Sequence, residues 1–243
     1  MGISDDRRFE ALSGDLKDAI ARGDTAYLLE ALDDASFNVR VAAVAGLGEL
    51  GGEQARMALV RTARDRWGQK PELRVAALRS LRGISEPERY VTLLEEFITG
   101  ENRKVVAASR GILRDIDPDG FPGRLVARGC VDHAAIRVYG VSRESSALGL
   151  LDGYMRDRMA AGDISSTRQW GKVYAAARAL GNIKGPASVQ TLENLQAWLQ
   201  EAPQAEKKGF PGQRLAKIRE ETVRAIESAR SGGEEGRGAG HAT

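Results

Sequence analysis

The sequence of 243 residues predicts an all-α fold, an α-solenoid of about five stacked helical hairpins closed by a C-terminal pair of capping helices. The string Arg-Val-Ala-Ala occurs at residues 40–43 and again at 74–77, each time with a Leu four residues after the second Ala. Weaker copies follow, and the five copies start 34, 32, 31 and 36 residues apart, a spacing typical of one helical hairpin per repeat. Their first residues, taken as position 0, are Val39, Leu73, Val105, Ile136 and Lys172.

The buried side of the second helix of each hairpin can be predicted from the residues that occupy equivalent positions, or columns, in the five copies. Positions 0, 4, 8 and 11 lie within roughly 80° of arc on an α-helix, so we expect them to form one buried stripe. Position 4 is small in every copy, which predicts that a partner helix crosses closely there. These residues are Ala43, Ala77, Ser109, Gly140 and Ala176, and position 11 holds Leu50, Ile84, Ile116, Ala147 and Ile183.

The first helix of each hairpin is predicted from caps and apolar spacing. Asp24 precedes Leu28 and Leu32 and is expected to cap their helix. The residues Ser85-Glu-Pro-Glu88 form a capping-box pattern that opens the helix before the third copy. Turn signals separate the helices, at Gly51-Gly52, residues 68–71, residues 117–123, Gly162-Asp163 and Gly185-Pro186.

Two longer helices are predicted after the last copy, over residues 187–200 and 214–230. A solenoid needs such a pair to cover its last apolar face. We therefore expect a repeat solenoid over residues 1–185, capping helices of the same domain over 186–230, and a disordered tail over 231–243, which holds five glycines in thirteen residues. The first few residues are expected to be disordered as well.

At these residues the chain resembles the HEAT-repeat family, in particular the short HEAT-like repeats of phycobilin-lyase-type proteins. The resemblance runs from about residue 24 to 183 and rests on Asp34, Val39-Arg40, Ala42-Ala43 and Leu47, with Leu73-Arg74, Ala76-Ala77 and Leu81 in the next copy. It implies an all-α solenoid and a structural role for Asp34 and Arg40, which in the family hydrogen-bond between successive repeats. The fourth copy departs from the pattern, because Tyr139 replaces a column Ala and Glu144 replaces the Leu.

Motifs for chemistry are few. The run Gly46-Leu-Gly48-Glu-Leu-Gly51 matches a dinucleotide-binding pattern, but it stands at the end of a predicted helix instead of between a strand and a helix. The chain has one Cys, Cys130, and two His, of which only His133 precedes the tail. We therefore expect no metal site, no cofactor and no Cys-His catalytic pair.

Composition suggests a location and limits the partners. A single cysteine cannot form an internal disulfide, and no apolar run has the length of a signal peptide or a membrane span. We therefore expect a cytoplasmic protein without a membrane partner. Lys and Arg number 36 against 34 Asp and Glu, so there is no overall charge excess that would indicate nucleic acid.

The exposed face of each second helix, at positions 2, 6 and 9, is the predicted binding surface. It combines a mild apolar row with arginines, which suits an acidic or amphipathic segment of a partner protein. Arg40 and Arg74 are left out because the repeat gives them a structural role. The predicted partner-binding residues are Val75, Arg79, Arg82, Arg114, Tyr174 and Arg178.

The function predicted from this surface is a non-enzymatic scaffold that binds a protein along its concave face. Three alternatives stay open. The same arginines could hold the phosphates of nucleic acid, as in the HEAT-like alkylpurine DNA glycosylases, to which Trp170 invites comparison. The chain could act on a tetrapyrrole-bearing partner, as lyase-type relatives would, or the face could be an ordinary solvated one. The tryptophans Trp67, Trp170 and Trp198 are expected to pack in the core or at helix ends.

Overall fold

The computed structural model describes residues 2–162, 164, 169–201 and 210–231. Regular structure in these residues is helical throughout, with no strand, which confirms the all-α prediction. A 3-10 turn at Ser145–Ala147 lies between α9 and α10. The helices are α1 Gly2–Arg22, α2 Thr25–Ala31, α3 Phe37–Leu50, α4 Gly52–Arg64, α5 Pro71–Leu81, α6 Pro87–Glu95, α7 Arg103–Ile116, α8 Phe121–Ala127, α9 His133–Ser142, α10 Leu148–Ala161, α11 Trp170–Ile183, α12 Pro186–Glu201 and α13 Phe210–Ser231.

The chain forms two compact units, Met1–Pro118 and Asp119–Thr243. In the first unit, α2/α3, α4/α5 and α6/α7 are helical hairpins; their second helices pack against one another in the order α3, α5, α7, and α1 packs against α3. In the second unit, α9, α11 and α13 pack in the same way, and α8, α10 and α12 are their hairpin partners or neighbours. We call α1, α3, α5, α7, α9, α11 and α13 the inner helices.

The N-terminal helix corrects one expectation. The first few residues were expected to be disordered, but α1 begins at Gly2. It is held by Leu16 and Ala19, which are buried and lie on the helix that packs against α3. The repeat columns do not extend to α1, so this helix could not be predicted from them.

The buried stripe is confirmed at positions 0, 4 and 8 of the first three copies. Each of these residues is at most 2% exposed. Position 11 is different, because Leu50, Ile84, Ile116 and Ile183 are only half-buried. The physical reason is helix length, since α3, α7 and α11 end at this position and α5 ends three residues before it.

The fourth copy has a shorter inner helix than the repeat predicts. Its helix, α9, ends at Ser142, so Glu144 lies beyond it and caps the 3-10 turn by accepting a 3.2 Å hydrogen bond from the amide of Ser146. Tyr139 in the same helix is fully buried. The replacement at Glu144 therefore goes with an earlier helix end, and the replacement at Tyr139 goes with a different core packing.

Helix ends follow the sequence signals in most hairpins. Asp24 caps α2 through a 3.1 Å hydrogen bond from the amide of Tyr27, as expected. Pro71 and Pro186 occupy the first residues of α5 and α12. The predicted capping box at Ser85 does not form, because the residue before α6 is Glu86 and it makes no side-chain capping bond.

Side chains of the inner helices bind carbonyls at or near the end of the hairpin partner that precedes them in the chain. Such carbonyls have no partner within their own helix. Arg74 Nε donates to Ala63 O at 2.8 Å, and Arg219 Nη2 donates to Leu199 O at 2.6 Å. Arg40 binds the turn between α2 and α3, where its Nη1 donates to Asp34 O at 2.6 Å. Arg40 and Arg74 are therefore structural, but each bond lies within one hairpin, whereas the resemblance implies a bond between successive repeats for Arg40.

Candidate functional site

The predicted arginines of the first unit lie on the surface of α5 and α7. Arg79 is on α5, Arg82 directly follows its last residue, and Arg114 is in the last turn of α7; all three are exposed. Val75 lies one turn before Arg79 and is half-buried. We call these four residues the arginine face.

The charges of the arginine face are only weakly compensated. Among the residues that the structure describes, Arg79 and Arg82 make no ion pair. Arg114 lies 3.9 Å from Asp115, but both side chains are more than half exposed, and such pairs contribute little. Three guanidinium groups are therefore available to an anionic partner.

The two predicted residues of the second unit, Tyr174 and Arg178, lie one turn apart on α11 and line a groove between α9 and α11. The groove has a volume of about 360 Å³. Its other walls come from residues that the sequence did not single out for binding, above all Arg137 and Val141 of α9. The lining residues are His133, Ile136, Arg137, Gly140, Val141, Tyr174, Ala175, Arg178, Ala179 and Asn182.

The Glu221 carboxylate of α13 lies beside Tyr174. A hydrogen bond with the Glu221 carboxylate, aided by burial, raises the pKa of Tyr174 above its ordinary value. Glu221 is only 8% exposed and lies 3.8 Å from Arg224. This carboxylate is thus engaged beside the groove and is not one of the groove's lining residues.

Position 9 was expected to be open in every copy, and in two copies that prediction is wrong. A Cβ added at Gly48 would lie 2.6 Å from Ser80 Cβ, and one added at Gly181 would lie 2.7 Å from Ala225 Cα. The next inner helix therefore covers α3 and α11 at these glycines. Each of these two helices packs against an inner helix on either side, α3 against α1 and α5 and α11 against α9 and α13, as well as against its hairpin partner, so less of its surface is exposed than in an isolated hairpin.

Two signals could have led to the missed groove residues. Arg137 occupies position 1, the same position as Arg40 and Arg74, and is an arginine in a copy that departs from the repeat pattern. Val141 is 84% exposed, one of the few large apolar side chains on the described surface. Val141 lies near the end of α9, where the column pattern did not predict an exposed apolar side chain.

The motifs set aside from the sequence lie where helix ends predict them. Gly51 directly follows the last residue of α3 and has a φ of 70°, a conformation that glycine adopts easily. Cys130 is buried and His133 is the first residue of α9. Within the described ranges, no group of three or more His, Cys, Asp or Glu residues could hold a metal ion.

The tryptophans follow their expected placement only in part. Trp67 lies in the turn after α4 and is 96% exposed, so the expectation of core packing is wrong for it. Trp170 starts α11 and is half-buried, with the guanidinium of Arg214 at 5.9 Å from its ring centre. Trp198 is half-buried on α12.

No helix in the described part of the chain has the length and apolar character needed to cross a membrane.

Comparison with known proteins confirms the resemblance stated from the sequence. Residues 25–112 match the family model for HEAT repeats, and residues 173–197 match the model for the PBS lyase HEAT-like repeat. No curated protein matches the chain. The two matched segments lie in different compact units, so both units contain this kind of repeat.

Proposed function

We propose that this HEAT-repeat chain is a non-enzymatic scaffold that binds an acidic or amphipathic segment of a partner protein on the exposed faces of its inner helices. One observation carries the proposal: Arg79 and Arg82 are exposed beside Val75 without an ion pair to any described residue. Binding by repeats of this kind is a property of their surface, and the proposal rests on these residues together with the repeat architecture.

The chemistry of the arginine face favours carboxylates combined with apolar side chains. A guanidinium can form two parallel hydrogen bonds with one carboxylate, which gives orientation as well as attraction. Val75 adds apolar contact area that a purely ionic ligand would not use. An amphipathic segment satisfies both features at once.

The match over residues 173–197 supports a second candidate, an accessory protein that acts on a tetrapyrrole-bearing partner. The carboxylates of a tetrapyrrole would pair with arginines through the same chemistry. Mixing the purified chain with a bilin distinguishes the two, because transfer to the protein would change the visible absorbance of the pigment, whereas a scaffold for protein segments would leave it unchanged.

The main test is capture of a partner from lysate of the source cells by the immobilised full chain, before and after nuclease treatment. A directly bound protein should survive nuclease, and the double variant Arg79→Glu with Arg114→Glu should lose it, because two attractive contacts become repulsive. The matched control is Arg89→Glu with Arg103→Glu, which makes the same charge change at two exposed residues outside the arginine face.

The control variant should capture the same protein as the unaltered chain, and far-ultraviolet circular dichroism should show equal helicity for all three. Capture that disappears with nuclease, or binding of duplex DNA whose log affinity falls linearly with log salt, would indicate a nucleic-acid binder instead. If the double variant captures the same protein as the unaltered chain, the arginine face is not the binding surface.

A further inference from the structure

The inner helices α5 and α9 are bound to their hairpin partners by different side chains, and this difference bears on the groove between α9 and α11. In α5, the arginine at position 1 is Arg74, which is 6% exposed and donates to Ala63 O at the end of α4. In α9, the bond to the segment after α8 comes from position 3 instead. The hydroxyl of Tyr139 donates to Cys130 O at 2.7 Å, and both residues are buried.

The arginine at position 1 of α9 makes no corresponding hydrogen bond within the described residues. Arg137 occupies position 1 of its copy, as Arg74 does in the second copy, but Arg137 is exposed and lines the groove. Neither Arg137 nor Arg178 makes an ion pair with any residue that the structure describes. A residue type that is structural elsewhere in the chain is here a free cation at a groove.

The two arginines come from the two helices that form the groove. Arg137 lies on α9 and Arg178 on α11, and both line it. The helices touch at Gly140, where an added Cβ would lie 2.9 Å from Ala179 Cα. This tight crossing fixes the spacing of the two walls, so little ordering of the backbone is needed when a ligand binds.

The lining of the groove combines cationic and apolar residues with two neutral polar ones, Tyr174 and Asn182, and includes no acidic residue. Besides the arginines it includes His133, at the exposed start of α9, and Val141, which is 84% exposed. Ile136, Ala175 and Ala179 are buried residues that also border the groove. A small inorganic anion would satisfy only the charges and leave the apolar lining in contact with water.

We infer that this groove binds an acidic peptide segment of a partner protein, with one side-chain carboxylate between Arg137 and Arg178 and a neighbouring aliphatic side chain against Val141. The inference rests on the proposed function, because it names the partner's chemistry at the second unit, and it predicts the motif: Asp or Glu next to Leu, Ile or Val. The pairing is charge-assisted on both sides and the aliphatic contact removes an exposed valine from water.

The test is selection of displayed random twelve-residue peptides on the full-length chain, followed by anisotropy measurements with the enriched peptides made synthetically. Enrichment of Asp or Glu beside an aliphatic residue is expected. The double variant Arg137→Glu with Arg178→Glu should weaken binding of these peptides by about 100-fold, which corresponds to tenfold for each arginine. Val141→Asp, a change at an exposed position, should weaken it by about tenfold as well.

The matched control is Arg143→Glu with Lys217→Glu, which makes the same charge change at exposed residues outside the groove. It should bind the peptides within about twofold of the unaltered chain. Peptides without acidic residues, or acidic peptides that bind the groove variants normally, would overturn the inference. Competition by inorganic phosphate at the concentration of the peptide would also overturn it, since the groove would then be an anion site.

These outcomes separate this inference from the proposed function. Partner capture that depends on Arg79 and Arg114 but not on Arg137 and Arg178 would leave the scaffold proposal standing and reject the groove. Loss of all protein capture after nuclease, with acidic peptides still selected at the groove, would reject the scaffold proposal and leave the groove inference standing.

Discussion

The hydroxyl of Tyr139 donates a 2.7 Å hydrogen bond to the backbone carbonyl of Cys130, and neither residue is more than 4% exposed. Cys130 lies in the turn that connects α8 to α9, so the bond ties an inner helix to the end of its hairpin partner. The tyrosine that breaks the repeat pattern is therefore a structural element of the fourth copy.

Replacing Tyr139 by Phe should lower the free energy of unfolding by about 1 to 2 kcal/mol, because the ring still fills its space while the buried hydrogen bond to Cys130 O is lost. Urea denaturation followed by circular dichroism measures the change. Tyr27→Phe is the control, since no hydrogen bond of the Tyr27 hydroxyl is found within the described residues, and it should be nearly neutral. Equal effects of the two variants would contradict the role of the Tyr139 bond.

Gly181→Ala should destabilise the second unit by about 1 to 3 kcal/mol, because the new methyl group would meet the backbone of α13 at Ala225 and push the helices apart. Gly111→Ala in α7 should do the opposite and stabilise by about 0.5 to 1 kcal/mol, since nothing lies within 4 Å of the added Cβ and alanine is the better helix former. Thermal melts of both variants provide the comparison. A stable Gly181→Ala variant would disprove the close crossing of α11 and α13.

Arg74 and Arg79 lie on the same helix, α5, but differ in role: Arg74 binds a backbone carbonyl, whereas Arg79 is exposed. Arg74→Met should cost about 1.5 to 3 kcal/mol, because Ala63 O loses a charged donor in a buried place. Arg79→Met should change stability by less than about 0.5 kcal/mol, since its side chain is exposed. Denaturant midpoints of the two variants, compared at equal slope, measure this difference, and similar midpoints would refute it.

Stability should fall at high pH because of Tyr90. Its hydroxyl donates to Leu78 O at 2.7 Å, and burial raises the pKa of Tyr90 to about 12, from an ordinary value near 10. The folded state thus holds a proton that the unfolded chain releases earlier. The resulting contribution to stability is complete below about pH 10 and is lost as the pH rises through about 12.

The measurement is urea unfolding at several pH values between about 9 and 11, with Tyr90→Phe as the comparison. The Phe variant should be less stable at neutral pH but should lose less stability as the pH rises. Titration of tyrosinate absorbance should show one fewer group titrating late in the variant. Parallel pH profiles for the two proteins would show that Tyr90 titrates normally.

Much of the fold was readable from the sequence, and the reason is local. Small residues at position 4 and leucines at position 8 repeat with the period of an α-helix, and these columns are buried as predicted. The exposure of Arg79, Arg82, Arg114 and Arg178 was also predicted correctly, because residues opposite a buried stripe face away from the hairpin. That these arginines bind a partner is still a prediction.

Residues whose environment is set by a distant helix were not readable in this way. Gly48 and Gly181 share position 9 with the exposed Arg82 and Arg114, yet a later helix covers both glycines. Trp67 was expected to be packed and is almost fully exposed in a turn. In each case the deciding contact, or its absence, involves elements that the repeat columns do not describe.

The sequence by itself determined the repeat helices, their pairing into hairpins and the stripe at positions 0, 4 and 8 that joins them, because a period of 3.6 residues places those side chains on one face whatever lies farther along the chain. Only the tertiary structure decided that Tyr139 takes over the bond to the hairpin turn and that Arg137 is left at the groove with Arg178. That outcome depends on which side chain reaches the backbone carbonyl of Cys130, a contact between separate segments that the periodicity of one helix does not specify.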